Sequence, residues 1–181
     1  MPRLFVALDL PPDRARELST LRNDTLNARW TPAHQLHLTL RFLGQVDGAA
    51  ESALREKLRG VRMAPFSLSG DGVEALPSRR RARVIVARID AEPRLTALQA
   101  EIEHEVVDRS IEADTKRFFP HVTLARLKQA APREVRRFLI AHADAGIEAF
   151  RVTQFHLYRS DLSPSGATYT VIESYDLEAE P

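Results

Sequence analysis

Two short runs of the sequence carry a histidine and a threonine two residues apart, and they constrain the fold more than any other feature. His37 and Thr39 stand in the first run, and His121 and Thr123 in the second. Side chains of a β-strand alternate between two faces, so each histidine shares a face with its threonine, about 7 Å apart. Apolar residues take the opposite face: Leu36, Leu38, Leu40 and Phe42 in the first run, Val122 and Leu124 in the second. Each run is therefore predicted to be a strand with one apolar face and one face that offers an imidazole and a hydroxyl.

The surroundings of the two runs also match, which predicts a duplicated unit. Apolar segments at 4–10 and 84–90 are typical of buried strands, and each is followed within a few residues by a proline that can open a helix. A segment that begins with phenylalanine comes after each histidine run, at Phe66 and at Phe150. The sequence therefore predicts two similar β-α-β-α-β units. A pseudo-two-fold arrangement of these units would set both histidine faces on one shared cleft.

We expect these units to form one domain, residues 1–181. The two lobes would cover about 1–78 and 79–181, and an exchange of strands between them stays open. The boundary falls in a basic loop that contains Arg79, Arg80, Arg81 and Arg83. Such a loop could follow an RNA backbone or simply face solvent.

Hydrophobic periodicity places the remaining elements. The predicted helices cover about 13–27, 49–61, 93 to 107 or 111, and 132–143. The further predicted strands cover about 66–76, 150–158 and 168–177. A turn at Ser163-Pro164-Ser165-Gly166 is predicted to join the last two strands as a hairpin.

Composition excludes several classes of protein. The chain has no cysteine, which excludes disulfides, thiolate zinc sites and cysteine nucleophiles. Its net charge of +1 does not indicate a surface that coats polyanions. No apolar run approaches the roughly 18 residues of a membrane span, and the N-terminus lacks the features of a signal peptide. We expect a monomeric cytoplasmic protein that does not associate with membranes.

Two imidazoles on one site supply a general acid and a general base near neutral pH. The two threonine hydroxyls can donate hydrogen bonds to charged oxygens, and an arginine nearby can stabilise developing negative charge. A phosphodiester, with an attacking oxygen on one side and a leaving oxygen on the other, fits this set of groups. Paired histidines can also bind metals, but two histidines and two threonines are a poor ligand set for zinc. We therefore predict neither a metal nor another cofactor.

Both motifs, His37-Leu38-Thr39-Leu40 and His121-Val122-Thr123-Leu124, resemble the signature pair of the 2H phosphoesterase superfamily. The similarity is closest to the RNA 2′,3′-cyclic phosphodiesterases, also known as 2′-5′ RNA ligases, and it covers nearly the whole chain. The opening segment from Arg3 to Pro11, Trp30, and the closing segment from Leu157 to Tyr169 are similar to the family as well.

This resemblance implies an α+β fold in which two antiparallel sheets line a central cleft, with helices outside. It implies metal-free hydrolysis of RNA that ends in a 2′,3′-cyclic phosphate, to leave a 2′-phosphate, with tRNA fragments among the candidate substrates. By the same resemblance His37 would be the proton donor and His121 the proton acceptor. Thr39, Thr123 and Arg126 would bind the phosphate.

Strand parity raises a conflict for the arginine. Arg126 lies five residues after His121, so strict alternation puts it on the opposite face unless the strand twists, bulges or ends there. Arg41, four residues after His37, has the matching parity and is a second candidate for substrate binding. By the same parity Phe42 is a core residue. His34, His104, His142 and His156 lack a comparable threonine partner and receive no role. Tyr158 could stack on a base, although packing or a rim position fits its alternating strand better.

Three alternatives stay open. The enzyme could be a 2′-5′ RNA ligase, or it could hydrolyse a small cyclic phosphate such as an ADP-ribose derivative. A protein of another class, a non-catalytic module that binds RNA ends, would use similar contacts. Both histidines argue against that module, because a pure binder could use arginine or lysine in their place.

Overall fold

The computed structural model describes residues 3–107, 111–163 and 166–178, which contain ten strands and four α-helices. The strands are β1 Arg3–Asp9, β2 Ala28–Trp30, β3 His37–Gln45, β4 Phe66–Asp71, β5 Val73–Leu76, β6 Val84–Arg88, β7 His121–Leu127, β8 Gly146–Val152, β9 Gln154–Ser163 and β10 Gly166–Asp176. The helices are α1 Pro12–Ser19, α2 Gly48–Leu58, α3 Pro93–Val106 and α4 Pro132–Ala141, and a 3₁₀ turn covers Ala33–Gln35.

Two antiparallel sheets contain all of these strands. Eight strands form one sheet in the order β10-β9-β1-β3-β7-β6-β5, with β2 paired to β7. The strands β4 and β8 form a separate two-stranded sheet. The prediction of an α+β fold with two antiparallel sheets is confirmed. Both histidine strands, β3 and β7, belong to the larger sheet and are neighbours in it.

The core lies under the central strands of the larger sheet. The five residues from Leu4 to Leu8 in β1 are all buried, because β1 has neighbours on both edges and packed side chains on both faces. Helix α3 adds an apolar stripe that is fully buried, as its spacing of three and four residues predicts. The residues of that stripe are Leu95, Leu98, Ile102 and Val106.

The sheet order does not follow the chain order. The C-terminal strands β9 and β10 lie on the same side of the β3–β7 pair as β1, whereas β6 and β5 lie on the other side. The short strand β2 pairs with β7 along the edge opposite β6, since Ala125 and Arg126 of β7 pair with both β2 and β6. A single antiparallel bridge, Leu38 to Val122, joins β3 to β7. The division into lobes at about residue 78 stays a prediction.

Helix α1 is shorter than the predicted 13–27, because it ends at Ser19. The cause is local, since the side chain of Asn23 accepts hydrogen bonds from the backbone N–H and the hydroxyl of Thr25, at 2.7 and 2.6 Å. Asparagine stabilises turns in this way and competes with the helix. Leu26, which the helical pattern included, is still buried.

Two predicted strands are each divided in the structure. The segment 66–76 breaks at Gly72, whose φ of +75° is a conformation that glycine adopts readily. The segment 150–158 breaks at Thr153, where the chain passes from the two-stranded sheet to the larger one. Short apolar runs do not reveal such breaks, because both pieces keep the pattern of a strand.

The predicted hairpin turn lies partly outside the described residues, which leave out 164 and 165. The strands that it would join, β9 and β10, are paired antiparallel, with Ser163 opposite Gly166. Within the described ranges, no helix is both long and apolar enough to cross a membrane.

Candidate active site

The two histidines occupy equivalent places in the backbone. Each is the first residue of its strand. The Nδ1 atom of His37 lies 2.7 Å from the carbonyl oxygen of Gln35, and the Nδ1 atom of His121 lies 2.6 Å from that of Phe119. A carbonyl oxygen only accepts hydrogen bonds, so Nδ1 carries the proton in both rings. Each neutral ring therefore keeps an unprotonated Nε2 atom for a substrate.

The strand register brings the threonines to these rings. Because β3 and β7 run antiparallel through Leu38 and Val122, His37 comes opposite Thr123 and Thr39 comes opposite His121. Leu38 and Val122 are 2% and 0% exposed and point into the core. The two histidines and two threonines lie on the other face, where all four are half-buried. The sequence pattern thus produces one group of four polar side chains.

Aromatic rings enclose His37. The ring of Phe5 lies 5.0 Å from it, Tyr158 stacks at 6.2 Å, and Tyr169 meets it edge-on at 5.2 Å, all between ring centroids. Burial lowers the pKa of His37, and the positive charges of His121 and Arg126 lower it further. The Gln35 carbonyl and the Asp9 carboxylate act in the opposite direction. These electrostatic effects also indicate that His121 and Arg126 lie close to His37.

His121 is in more open surroundings. The ring of Phe119 stacks against it, with 5.7 Å between the centroids and an angle of 30°. Phe119 itself is 42% exposed. The two histidines therefore share their backbone hydrogen bond but differ in what surrounds the ring.

A bulge in β7 resolves the parity conflict at Arg126. Thr123 pairs with Val86 and Ala125 pairs with Ile85, so Leu124 is an extra residue. Arg126 then pairs with Val84, which shares a face with Val86. Arg126 is thereby returned to the face of Thr123, where its exposed side chain lines a cavity of about 370 Å³ together with Trp30, Gln35 and Tyr169.

A matching bulge in β3 overturns the parity argument for Arg41. Ala7 pairs with Thr39 and Val6 pairs with Arg41, so Leu40 is the extra residue. Arg41 therefore points to the core face with Val6 and is only 8% exposed. Phe42, predicted to be core, returns instead to the face of Thr39 and is 62% exposed. The expectation that Arg41 shares a face with His37, and that Phe42 is buried, is wrong.

Arg41 braces a loop rather than the phosphate site. Its Nε atom lies 2.5 Å from a carboxylate oxygen of Glu103 in α3, and an Nη atom lies 3.9 Å from Asp114. Its guanidinium also donates to the backbone carbonyls of Phe42, at 2.6 Å, and Glu112. Residues 112 and 114 belong to the loop that leads into β7. Arg41, which belongs to the first histidine strand, thus holds the loop that leads into the second one.

The basic loop around Arg79 to Arg83 lies on the surface between β5 and β6, where the four arginines are exposed. Two backbone hydrogen bonds close its turn, from Arg81 to Ser78 and from Arg83 to Leu76. Contact of this loop with an RNA backbone stays a prediction.

The sequence analysis does not assign three residues near His37 to the site: Asp9, Tyr158 and His156. Tyr158 was assigned to packing or the rim, and it donates a hydrogen bond from its hydroxyl to a carboxylate oxygen of Asp9. His156 received no role, yet its Nε2 atom lies 3.7 Å from the other oxygen of Asp9. The spacing of His156 and Tyr158 repeats the two-residue interval of the motifs, which is the signal that could have grouped them.

A cavity of about 420 Å³ opens beside His37. Asp9, Tyr158 and Tyr169 line it together with apolar residues of α1 and the 3₁₀ turn. It shares Gln35 and Tyr169 with the cavity beside Arg126. Cavities of this size suit small organic groups. The first has the carboxylate of Asp9 and the guanidinium of Arg16 in its wall, whereas the second has Arg29 and Arg126 and, among its described lining residues, no carboxylate, so they differ in the chemistry that they offer.

The chain is similar to known proteins in both sequence and fold. A sequence profile described as the 2′-5′ RNA ligase superfamily matches residues 10–164. A Thermus thermophilus protein named RNA 2′,3′-cyclic phosphodiesterase is 35% identical, over 98% of this chain and 91% of its own length. A protein of the same name from Methanothermobacter thermautotrophicus is 28% identical, over 97% of this chain and 98% of its own. The crystal structure of E. coli LigT complexed with 3′-AMP superimposes with a TM-score of 0.82, at 27% identity, and the match covers 98% of this chain and 99% of that one.

Proposed function

Because the chain belongs to the 2′-5′ RNA ligase superfamily, we propose that it is an RNA 2′,3′-cyclic phosphodiesterase, as its relatives are named. One observation carries this proposal: two histidines with the same Nδ1 hydrogen bond stand on one face of neighbouring strands, each opposite the other's threonine. Such a pair can deliver a proton at one side of a phosphorus atom and remove one at the other.

In the proposed reaction, water attacks the phosphorus of the cyclic phosphate. The Nε2 atom of His121 accepts a proton from this water as the new P–O bond forms. The bond from phosphorus to the ribose 3′ oxygen breaks, and Nε2–H of His37 donates its proton to that oxygen. The products are a 2′-phosphate and a free 3′-hydroxyl. The two histidines end with their protonation states exchanged, and transfer through solvent restores them.

The remaining polar groups stabilise charge on the phosphate. The hydroxyls of Thr39 and Thr123 donate to the non-bridging oxygens, and the guanidinium of Arg126 stabilises the charge that develops there. The bulge in β7 supports this role, because it places Arg126 on the face of Thr123. These groups act without a metal in the proposed mechanism.

The protonation of His37 depends on the substrate. Burial lowers the pKa of His37, which favours the neutral ring, whereas a proton donor must be charged. A bound phosphate brings a negative charge to Nε2, and a neighbouring opposite charge stabilises the imidazolium. We infer that the proton enters His37 together with the substrate.

We also assign the substrate class from the site and the relatives. The crystallised LigT holds 3′-AMP, whose phosphate is attached to one of the two ribose oxygens that a 2′,3′-cyclic phosphate joins. The two cavities that share Tyr169 leave space for groups attached to the phosphate-bearing ribose. RNA ends, including those of tRNA fragments, are the proposed substrates, and we propose a monomer that acts in the cytoplasm.

The test is an assay with a short oligonucleotide that ends in a 2′,3′-cyclic phosphate, with and without EDTA. We expect turnover in both conditions and a product that carries a 2′-phosphate, identified by ³¹P NMR against authentic 2′- and 3′-phosphate standards. Loss of turnover with EDTA would replace the two-histidine mechanism by a metal-dependent one. Binding without turnover would favour the non-catalytic module. Joining of a 5′-hydroxyl oligonucleotide, with no hydrolysis, would favour the ligase.

A further inference from the structure

Asp9 occupies a place beside His37 that the proposed mechanism does not use. It is the last residue of β1 and the register partner of His37, the first residue of β3. Directly opposed residues of antiparallel strands share a face, with Cβ atoms about 4.5–5.5 Å apart. Both side chains line the cavity of about 420 Å³. Asp9 therefore brings a negative charge to the ring of His37 from the side of β1.

Tyr158 holds the carboxylate of Asp9. Its hydroxyl donates a hydrogen bond to one oxygen of Asp9, and its ring stacks on Phe5 with 5.0 Å between the centroids and an angle of 8°. Phe5 is 3% exposed, so the tyrosine ring rests on a fixed surface. Burial and Asp9 both raise the pKa of Tyr158, which keeps its hydroxyl protonated as a donor. The carboxylate thus has a defined position.

His156 approaches Asp9 from the same strand as Tyr158. Its Nε2 atom is 3.7 Å from Asp9, and its Nδ1 atom is 2.8 Å from the hydroxyl of Ser174. Because burial lowers the pKa of His156, this ring is neutral near pH 7. A neutral ring does not cancel the charge of Asp9, which stays available to His37.

We propose that Asp9 is a positioning residue for His37: its carboxylate, held by Tyr158, stabilises the protonated ring from which the proton leaves. This inference rests on the proposed function only for the direction of proton transfer. The coupling between Asp9 and His37 rests on the strand register, the shared cavity and the hydrogen bond from Tyr158.

Other groups face His37 from every element that packs around it. Asp9 is the group that brings a negative charge among the described residues that line this cavity or act on the ring. The other titratable or charged groups there are Tyr158 of β9, Tyr169 of β10, His121 and Arg126 of β7, Arg16 of α1 and His34 of the 3₁₀ turn. The positive charge of Arg126 opposes a proton on His37, as does His121 when its ring is protonated, whereas Asp9 favours it. Removal of Asp9 leaves the hydrogen bond to the Gln35 carbonyl to offset burial and these charges.

The experiment compares Asp9→Asn with the wild type over pH 5–9, with kcat/KM measured on the cyclic-phosphate oligonucleotide. Asparagine keeps the size and polarity of the side chain but loses its charge, so protonation of His37 is weakened. We expect the basic limb of the profile to move to lower pH by about one unit, which lowers kcat/KM about tenfold above the limb. At pH values below the basic limbs of both proteins, their kcat/KM values should be equal.

Tyr158→Phe is the second variant. It keeps the stack on Phe5 and removes only the hydroxyl that holds Asp9, so the basic limb should move in the same direction by a smaller amount. Asp13→Asn is the matched control, because Asp13 stands in the exposed first turn of α1 and faces Arg14. Its profile should superimpose on that of the wild type.

A uniform loss of rate at all pH values in Asp9→Asn would overturn the proposal, because it would indicate a purely structural role. NMR titration of the His37 ring supplies a readout independent of activity, and its pKa should fall in Asp9→Asn. An unchanged titration would also overturn the proposal. If the acidic limb moves instead of the basic one, the coupling stands, but His37 accepts the proton and the donor assignment under the proposed function fails.

Discussion

The two histidine strands, β3 and β7, share a burial pattern and a bulge, but they carry different side chains after the bulge. Both begin with histidine, and their first six residues follow the same order of half-buried, buried and exposed positions. Both contain a bulge one residue after the threonine. The residues that follow differ, with Arg41 and Phe42 in β3 and Ala125 and Arg126 in β7. The comparison teaches that the shared backbone pattern sets which face a position takes, while the residue at that position decides what it does.

After the bulge, the two strands differ at one core-facing position and at one outward-facing position. The core-facing position holds a buried arginine in β3 and a fully buried alanine in β7. The outward position holds an exposed phenylalanine in β3 and an exposed arginine in β7. One arginine thus braces the loop that enters β7, and the other faces the proposed phosphate site. The two strands share their pattern of faces, so the difference between them comes from the residues at these two positions.

The histidines themselves should be equally indispensable despite their different surroundings. We expect His37→Ala and His121→Ala each to lower kcat by about 10²–10⁴-fold, the usual contribution of a general acid or base. The measurement is turnover of the cyclic-phosphate oligonucleotide at saturating substrate. His104→Ala, on the exposed side of α3, is the control. Circular dichroism should be unchanged in all three variants, and full activity in either site variant would break the equivalence of the two strands.

The outward-facing position after the bulge, Arg126 in β7 and Phe42 in β3, should matter for activity in β7 only. We expect Arg126→Ala to lower kcat about 10²-fold, as removal of a group that stabilises developing charge does, and Arg126→Lys to recover part of the loss. Phe42→Ala should cost much less, because Phe42 carries no charge for the phosphate. Arg137→Ala, exposed on α4, is the matched control. Equal losses in Arg126→Ala and Phe42→Ala would mean that the charge is not what distinguishes the two positions.

The core-facing residue Arg41 should affect the stability of the fold more than the rate of the reaction. Arg41→Met leaves Glu103 without its buried cation, and we expect the free energy of unfolding to fall by about 2–3 kcal/mol, below the 3–5 kcal/mol typical of a fully buried pair because Glu103 is 21% exposed. Urea denaturation measures this change. Arg22→Met, whose side chain is 66% exposed, should change stability by no more than about 0.5 kcal/mol. A stable Arg41→Met protein with a strongly raised KM would instead assign Arg41 to substrate binding.

Alternation along the chain was sufficient to find the histidine strands and to group His37 with Thr39 and His121 with Thr123. It failed at Arg41, Phe42 and Arg126 for one reason. A bulge inserts one residue, and every later side chain then changes face. The local sequence around Leu40 and Leu124 contains nothing that marks an extra residue, since a leucine fits a regular strand equally well.

The sequence by itself determined the α+β class, the pair of motifs and the family to which they belong, because these depend on local periodicity and on residue identity. The tertiary structure alone decided which strands are neighbours. It therefore decided that Asp9, Tyr158 and His156, far apart in the chain, gather around His37, and that the second arginine lies in the core. Such contacts form between distant segments, so only the register and the bulges of the folded sheet specify them.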